Sequence, residues 1–221
     1  MRVLYLCHRF PYPPRRGGKI RPFNMIRHLA KRHEVTVCSL ARSAAEAEDA
    51  EGIAPFCARF FVHSVREPAQ TLRMIARLPT PTPSSFGYFY SPALASRVAS
   101  LFAAERFDLI FVHCSSVARY VATHSSTPKI LDFGDMDSQK WLDYARYKPF
   151  PLNVGYRLEG AKMVAEEKRL ARRFDVCTAT TRGEWETLES YGTRTPTDWF
   201  PNGVDSDYFA PGEERYDPNT I

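Results

Sequence analysis

The chain has 221 residues, of which 44% are hydrophobic and 25% are charged. These values are ordinary for a folded globular protein and argue against disorder, and no apolar run approaches the ~20 residues that span a bilayer. Thirty Lys and Arg against 25 Asp and Glu give a net charge of +5, which suits anionic partners without choosing among them. The five cysteines are widely spaced and odd in number, and they predict reduced, buried thiols.

Seven short apolar runs have the character of buried strands. They lie at 2–7, 34–40, 59–65, 108–113, 129–133, 175–180 and 197–200. Most are apolar on both faces, which is typical of strands in a parallel sheet covered by helices. Helical patterns alternate with them, at 19–32, 44–52, 69–78, 91–105, 116–124, 138–147, 154–174 and 184–191. The sequence therefore predicts an α/β fold with a Rossmann-like, doubly wound, mainly parallel sheet.

The helix at 91–105 has the clearest pattern. Ser91 can cap it and Pro92 suits its first position, and a buried stripe is predicted at helical spacing. That stripe consists of Leu94, Val98, Leu101 and Phe102. The preceding segment 79–90 combines prolines and serines with four aromatic residues. It predicts an ordered loop that either lines a cleft or seals a hydrophobic edge.

A long loop with a glycine pair, Gly17 and Gly18, connects the first strand to the first helix. Ligands of open α/β sheets bind at the carboxyl ends of strands, and a helix N-terminus offers free amides to a phosphate. Only glycine lets the backbone approach a ligand that closely, and Arg15, Arg16 and Lys19 add positive charge nearby. The alternative is that the glycines serve a left-handed turn into the helix.

Four stretches of the chain resemble one enzyme family. They are LYLCHRFPYPPRRGGKIRPFNMIRHLAKRHEVTVCSL (4–40), FDLIFVH (107–113), LDFGDMDSQKW (131–141) and PNGVD (201–205). In this order they are similar to the N-terminal domain of family 4 glycosyltransferases with the GT-B architecture. The resemblance is strongest to the sugar transferases associated with exosortase (PEP-CTERM) and exopolysaccharide loci.

The resemblance implies an enzyme that transfers a hexose from a nucleotide sugar to a glycan or lipid-linked acceptor in cell-surface polysaccharide biosynthesis. It implies retention of the anomeric configuration and no metal or other cofactor. Residues 1–210 would form the N-terminal, acceptor-side domain, and 211–221 would begin the interdomain linker. The donor-binding domain would then be absent, and we expect this chain alone to be nearly inactive.

The resemblance also implies roles for individual residues. His113, at the carboxyl end of a strand, would sit at the sugar being transferred, where an imidazole can hydrogen-bond a hydroxyl. Asp135 or Asp137 would line the acceptor side, and Asn202 and Gly203 would form the interdomain hinge. The donor diphosphate would be bound by Gly17 and Gly18, with Arg16 and Lys19.

Two pairs of carboxylate residues match catalytic or metal-binding motifs of glycosyltransferases, but we interpret both pairs differently. Asp135 and Asp137 spell the DxD motif by which GT-A transferases hold a divalent metal, which leaves a metal-dependent transferase as an alternative. We favour instead a helix capped by Ser138, with both carboxylates near its positive end. Glu159 and Glu167 have the spacing of the family's EX7E signature but precede the PNGVD segment, so we predict a solvated, salt-bridged surface.

We expect a cytoplasmic protein, because the N-terminus has the pattern of a strand rather than of a secretory signal. Basic residues on the first helix suggest attachment to the inner face of an anionic membrane. The alternative is that they form an ordinary solvent-exposed helix surface. These residues are Arg21, Arg27, His28, Lys31 and Arg32, with more at 168–173. No nucleic-acid partner is expected. A non-catalytic module that binds an acceptor or partner remains a second functional hypothesis.

Overall fold

A single all-parallel sheet organises the computed structural model, which describes residues 1–65, 67–206 and 209–210. Its seven strands follow the order β3, β2, β1, β4, β5, β6, β7. They are β1 (Arg2–Cys7), β2 (Glu34–Ala41), β3 (Arg59–Ser64), β4 (Leu109–His113), β5 (Lys129–Asp132), β6 (Val176–Ala179) and β7 (Thr197–Trp199). The α/β, Rossmann-like prediction is confirmed. The predicted linker at 211–221 lies outside the described residues.

Helices connect the strands and cover the sheet. Their bounds are α1 (Gly17–Leu29), α2 (Ala44–Glu48), α3 (Glu67–Ala76), α4 (Ser84–Tyr88), α5 (Pro92–Ala104), α6 (Ser115–Ala118), α7 (Asp137–Tyr147), α8 (Leu152–Ala171) and α9 (Arg182–Glu189). A 3-10 helix, Asp49–Phe56, follows α2. In the part of the chain that the structure describes, no helix has both the length and the apolar character needed to cross a bilayer.

The two faces of the sheet pack into separate core clusters. Alternate residues of β1 enter different clusters, because successive side chains of a strand point to opposite faces. Leu4 and Leu6 pack with α5, α6 and α8, whereas Val3 and Tyr5 pack with α1 and the 3-10 helix. Tyr5 also stacks on Phe111 of β4, with ring centroids 5.1 Å apart. Burial on both faces explains why these strands are apolar throughout.

Helix α5 confirms the predicted capping and packing. The Ser91 hydroxyl accepts a hydrogen bond from the Leu94 amide at 3.4 Å, and Pro92 occupies the first turn. Leu94, Val98 and Leu101 are buried, and Phe102 is partly buried against the same cluster. The sequence alone was sufficient here because the cap and the apolar stripe agree on one helix.

Two local predictions between β3 and β5 are wrong. The predicted loop 79–90 contains helix α4, and the predicted helix 116–124 ends at Ala118. Beyond Ala118 the chain forms tight turns, and the Tyr120 hydroxyl accepts from the Ser91 amide (2.7 Å) and donates to the Phe89 carbonyl (3.0 Å). These tertiary contacts override the local helical pattern.

The predicted solvated surface at Glu159 and Glu167 is also wrong, because both carboxylates are buried. Glu167 accepts hydrogen bonds from the Ser138 amide (3.0 Å) and from the Tyr191 hydroxyl (2.6 Å). It thereby satisfies an amide in the first turn of α7, so the predicted Ser138 side-chain cap is replaced by a carboxylate from α8. Burial raises the pKa of Glu167, and Glu159 accepts from the Ser85 amide at 3.1 Å.

Candidate active site

The register of the sheet aligns polar residues at the carboxyl ends of neighbouring strands. Strand order reverses between β1 and β4, and this switch point is where open α/β sheets bind their ligands. Cys7 is in register with His113, His113 with Asp132, and Asp132 with Thr178. Because in-register neighbours point to the same face, the side chains of this row can contact one another.

Asp132 is the fully buried centre of this row. Its carboxylate accepts two hydrogen bonds from Arg21 of α1, at 2.9 and 3.1 Å, and one from the Thr178 hydroxyl at 3.0 Å. A fourth contact, of 2.9 Å, joins it to Nδ1 of His113. Burial by itself raises the pKa of this carboxyl, but the hydrogen bonds from His113 and Arg21 prevail and lower it to about 2.

The contact with Asp132 fixes the orientation of His113. A carboxylate only accepts hydrogen bonds, so Nδ1 carries the proton that it donates to Asp132. In the neutral ring Nε2 is then the acceptor, and among the described residues it has no hydrogen-bond partner. His113 lines a cavity of about 430 Å³ at the switch point. The pair therefore presents an oriented imidazole to whatever enters that cavity.

Unusual backbone conformations surround this imidazole. Gly134 has a φ of +67°, and a Cβ atom added there would lie 3.2 Å from Cε1 of His113, so glycine is required both for its conformation and for space. Cys114, directly after His113, has a φ of +83°, a conformation that costs a non-glycine residue ~1–3 kcal/mol. Such strain is concentrated at functional sites, and Cys114 directly follows His113.

Gly17 and Gly18 open onto the same cavity at the start of α1. Neither has a positive φ, so the left-handed turn that was the alternative explanation for this pair is excluded. A Cβ added at Gly17 would meet nothing within 4 Å, and at Gly18 only Cδ of Arg9, at 3.8 Å. No side chain caps this helix end. The amides of Gly17 and Gly18 have no hydrogen-bond partner among the described residues and lie at a positive helix terminus, which suits an anion.

The other predicted donor-binding residues lie differently. Lys19 is buried and its ammonium is 2.7 Å from Oε1 of Glu46, so the charge predicted for a phosphate is already paired. Arg16 is exposed and directly precedes the helix. The cationic side chains that line the cavity are instead Arg9, Arg21 and Lys140. The phosphate role of Arg16 and Lys19 stays a prediction that these contacts do not support.

Arg21 joins the buried row to the predicted hinge. Its Nη1 donates to the carbonyl of Phe200 at 3.1 Å and to Oδ1 of Asn202 at 3.2 Å, and its guanidinium lies 4.0 Å from the centroid of the Phe200 ring. Arg21 is buried, which corrects its prediction as part of a membrane-facing basic surface. Asn202 lines the cavity, whereas Gly203 is exposed beside it. The hinge role of both residues stays a prediction.

Asp135 and Asp137 also line the cavity. Asp135 is exposed and Asp137 is half-buried, and burial raises the pKa of Asp137. Among residues 1–65, 67–206 and 209–210, no group of three or more His, Cys, Asp and Glu is arranged to hold a metal ion. The acceptor-side role of both residues and the metal-dependent alternative stay predictions.

Two further cavities adjoin this region. One of about 390 Å³ shares Phe89, Asp137 and Lys140 with the first and is walled by aromatic rings of α7 and α8. The other, about 600 Å³, lies between α1 and residues 200–206 and 209. It is not lined by His113, Gly17 or Gly18. We therefore place the candidate site in the cavity of about 430 Å³, which the oriented imidazole and both glycines line.

The site contains residues that the sequence analysis did not single out. Asp132 and Arg21 carry the buried network, and His8 follows β1 with its ring centroid 6.1 Å from that of His113. Burial, and then the neighbouring His113, lower the pKa of His8 well below its ordinary value, so its ring is neutral at pH 7. In the sequence, the signal that could have identified His8 and Asp132 as site residues was their position at the carboxyl ends of predicted strands, where open α/β sheets bind ligands.

Solved structures share this fold. The N-terminal domain of trehalose-6-phosphate phosphatase from Candida albicans aligns over 94% of this chain and 49% of that chain, with 11% identity and a TM-score of 0.54. A protein assigned as a UDP-N-acetylglucosamine 2-epimerase from Listeria monocytogenes aligns over 98% and 50%, with 14% identity and a TM-score of 0.52. This chain thus spans about half the length of these two proteins.

A sucrose-phosphate synthase from Thermosynechococcus elongatus aligns over 94% of this chain and 93% of that chain, with 13% identity and a TM-score of 0.47. No curated protein matches the chain. A family model described as Glycosyltransferase Family 4 matches residues 15–208. That match extends from the glycine pair through His113 to the PNGVD segment, and the chain therefore belongs to glycosyltransferase family 4.

Proposed function

We propose that this chain is the acceptor-side half of a GT-B glycosyltransferase that transfers a hexose from a nucleotide sugar with retention of configuration, without a metal. The observation that carries the proposal is the meeting of two free helix amides and an oriented imidazole in one cavity of about 430 Å³. Glycosyl transfer develops negative charge on the leaving diphosphate and positive charge on the sugar ring. Preorganised hydrogen-bond donors would stabilise the negative charge on the diphosphate, and a hydrogen-bond acceptor would stabilise the positive charge on the sugar ring.

On the donor side, the amides of Gly17 and Gly18 would bind the diphosphate together with Arg9 and Lys140. His113, held by Asp132, would accept a hydrogen bond from a hydroxyl of the transferred sugar through Nε2. The remaining contacts with the donor would come from a second domain. This chain spans about half the length of two proteins with the same fold, which supports that division.

On the acceptor side, the adjoining cavity of about 390 Å³ would receive the glycan or lipid-linked acceptor. Aromatic rings stack on the apolar faces of sugars, and Trp141 and Tyr156 pack together there with centroids 5.2 Å apart. Asp137 borders both cavities and would contact an acceptor hydroxyl. We propose exopolysaccharide or another cell-surface polysaccharide as the product, on the resemblance of the four sequence stretches.

Attachment to the inner face of an anionic membrane is part of the proposal. Arg27, His28, Lys31 and Arg32 are exposed on or just after α1, although Arg21 is not. Sedimentation with acidic liposomes should be salt-sensitive and should weaken when Arg27 and Lys31 are changed to glutamine. Equal sedimentation with neutral and acidic liposomes would exclude this attachment.

The direct test is sugar transfer from a panel of nucleotide sugars, measured by mass spectrometry, with and without the proposed donor-binding domain. We expect the 221-residue chain alone to turn over far below the ~1 per second typical of enzymes, and the two-domain polypeptide to reach it. Rapid turnover by the chain alone would refute the division into halves. Binding of acceptor without transfer in the two-domain protein would favour the non-catalytic alternative.

A matched pair of variants isolates the glycine amides. Gly18→Ala adds a methyl group in the cavity, and Gly155→Ala adds one on α8, where nothing lies within 4 Å. Alanine is at least as good as glycine in a helix, so both variants should fold as stably as the wild type. The proposal predicts weaker nucleotide-sugar binding for Gly18→Ala only. Equal binding by both variants would remove Gly18 from the donor site.

A further inference from the structure

A small cationic cavity lies away from the candidate active site, between the end of α3, helix α4 and helix α8. Its volume is about 190 Å³, several times the ~30 Å³ that one water occupies in the liquid. Its lining consists of Arg77, Thr82, Phe86, Arg119, Glu166 and Arg169. None of these six residues lines the cavity that contains His113.

The charges around this cavity are not balanced. The only carboxylate in its lining, Glu166, is already paired with Arg169, whose Nε donates to it at 2.7 Å. Within the described part of the chain, neither Arg77 nor Arg119 has a carboxylate partner within salt-bridge distance. Two positive charges therefore remain at the cavity after internal pairing.

Arg119 provides the strongest indication of a ligand. Its Nη1 is buried and has no hydrogen-bond partner among the described residues, and its guanidinium lies 4.5 Å from the centroid of the Tyr90 ring. Burial, and then the neighbouring charge of Arg77, lower the pKa of Arg119, and both arginines line the same cavity. A buried, unpaired donor on a cation is costly, and an anion between the two arginines would satisfy it.

Partly buried hydrogen bonds fix the backbone next to both arginines. Lys162 of α8 donates to the carbonyl of Leu78 at 2.7 Å, and the Thr80 hydroxyl donates to the carbonyl of Arg77 at 2.9 Å. Next to Arg119, the Tyr120 hydroxyl is fixed by Ser91 and Phe89. The backbone that carries both side chains is therefore held before a ligand binds, which lowers the ordering cost of binding.

We propose that Arg77 and Arg119 bind the phosphate group of a phosphomonoester or of free phosphate. Such a group carries a charge of about −1.5 to −2 at neutral pH, which matches the two unpaired guanidinium groups, and the guanidinium fork suits its oxygens. The exposed side chains of Leu72 and Ile75 on α3 lie a few residues before Arg77. A lipid headgroup is therefore one source of the phosphate, and a soluble molecule is the other.

The test is an NMR titration of the 221-residue chain with inorganic phosphate at constant ionic strength. Local binding should give saturable shifts of the Thr82 and Phe86 amides. These are distinct from shifts at Gly17 and Gly18, which would report phosphate at the other cavity. Arg77→Gln and Arg119→Gln should each weaken the saturable binding by about tenfold or more, as expected for loss of a charged hydrogen bond.

Two controls accompany these variants. Arg172→Gln removes the same charge from an exposed position at the end of α8, and Gly18→Ala alters only the other cavity. Both should bind phosphate at Thr82 and Phe86 as the wild type does. If Arg119→Gln proves unfolded by circular dichroism, Arg119→Lys takes its place, because it keeps the charge and loses only the fork.

A second arm uses vesicles of phosphatidylcholine with and without phosphatidic acid. Saturable binding of inorganic phosphate that depends on Arg119 supports a soluble ligand. Binding to phosphatidic acid vesicles alone, lost in Arg119→Gln and kept in Arg172→Gln, supports a headgroup ligand. Shifts that stay linear in phosphate together with no vesicle binding that depends on Arg119, or binding that is equal in all variants, overturn the proposal. Neither outcome bears on the active-site cavity, so this proposal and the proposed function fail separately.

Discussion

Replacing Arg21 by glutamine removes two of the four hydrogen bonds to the buried carboxylate of Asp132. The pKa of Asp132 is about 2 instead of the ordinary 3.8, a difference worth ~2 kcal/mol of stability at neutral pH. Removing one partner of a buried ion pair costs ~3–5 kcal/mol, because the remaining charge is left uncompensated. We therefore expect Arg21→Gln to lower the free energy of unfolding by ~3 kcal/mol or more.

Urea unfolding followed by circular dichroism measures this change, and Arg27→Gln on the exposed face of the same helix is the matched control. Substitutions at such surface positions usually change stability by less than ~0.5 kcal/mol. The pH dependence gives a second measurement. Since the folded-state pKa of Asp132 is depressed, its contribution is present above pH ~4 and is lost as the pH falls toward 2.

The variant should therefore lose less stability on acidification than the wild type over this range, because the pKa of Asp132 rises when the guanidinium is gone. A stability of Arg21→Gln within ~0.5 kcal/mol of both the wild type and Arg27→Gln would refute the reasoning. Acid-unfolding curves that run parallel for the wild type, Arg21→Gln and Arg27→Gln would refute it as well.

Three other predictions concern the site and the core. Gly134→Ala should lower the free energy of unfolding in urea by at least ~1 kcal/mol, because alanine is strained at a φ of +67° and its methyl group would crowd His113. A variant as stable as the wild type would contradict this expectation. Leu94→Ala should cost ~2–5 kcal/mol because Leu94 is fully buried, whereas a loss under ~1 kcal/mol would mean that α5 is not packed as described. A thiol reagent at pH 8 should modify the native protein slowly. Burial raises the pKa of Cys57 to about 11 and that of the other four thiols, Cys7, Cys38, Cys114 and Cys177, to about 12. Rapid reaction of several thiols before unfolding would contradict this expectation.

The fold could be predicted because its signals are local and consistent. Seven apolar runs separated by helical patterns already specify a covered parallel sheet, and Ser91 and Pro92 mark the start of α5. Where a segment depends on distant partners, prediction was wrong. Tyr120 ends its helical pattern by bonding to residues near Ser91, about thirty positions earlier in the chain.

The site could be predicted only in part, because some of its residues are brought together by contacts between distant parts of the sequence. Strand ends and glycines pointed to His113, Gly17 and Gly18, which the structure brings to one cavity. Asp132 was overlooked because its partner Arg21 is 111 residues away in the sequence, and Arg21 by itself reads as one more basic residue on an amphipathic helix. Helical spacing put Glu159 and Glu167 on one face but could not tell whether that face meets water or, as it does, α4 and α7.

We propose that the imidazole held by Asp132 acts on the transferred sugar. The most direct measurement compares kcat for sugar transfer by His113→Ala and His28→Ala in the polypeptide that also carries the proposed donor-binding domain. His28 is exposed on α1 and does not line the cavity that contains His113, so it serves as the control when the acceptor is soluble and no membrane is present. We expect a loss in kcat of ~10²-fold or more for His113→Ala and wild-type kcat for His28→Ala. A kcat for His113→Ala within about twofold of the wild type would contradict it, since a positioned group of this kind contributes far more than that.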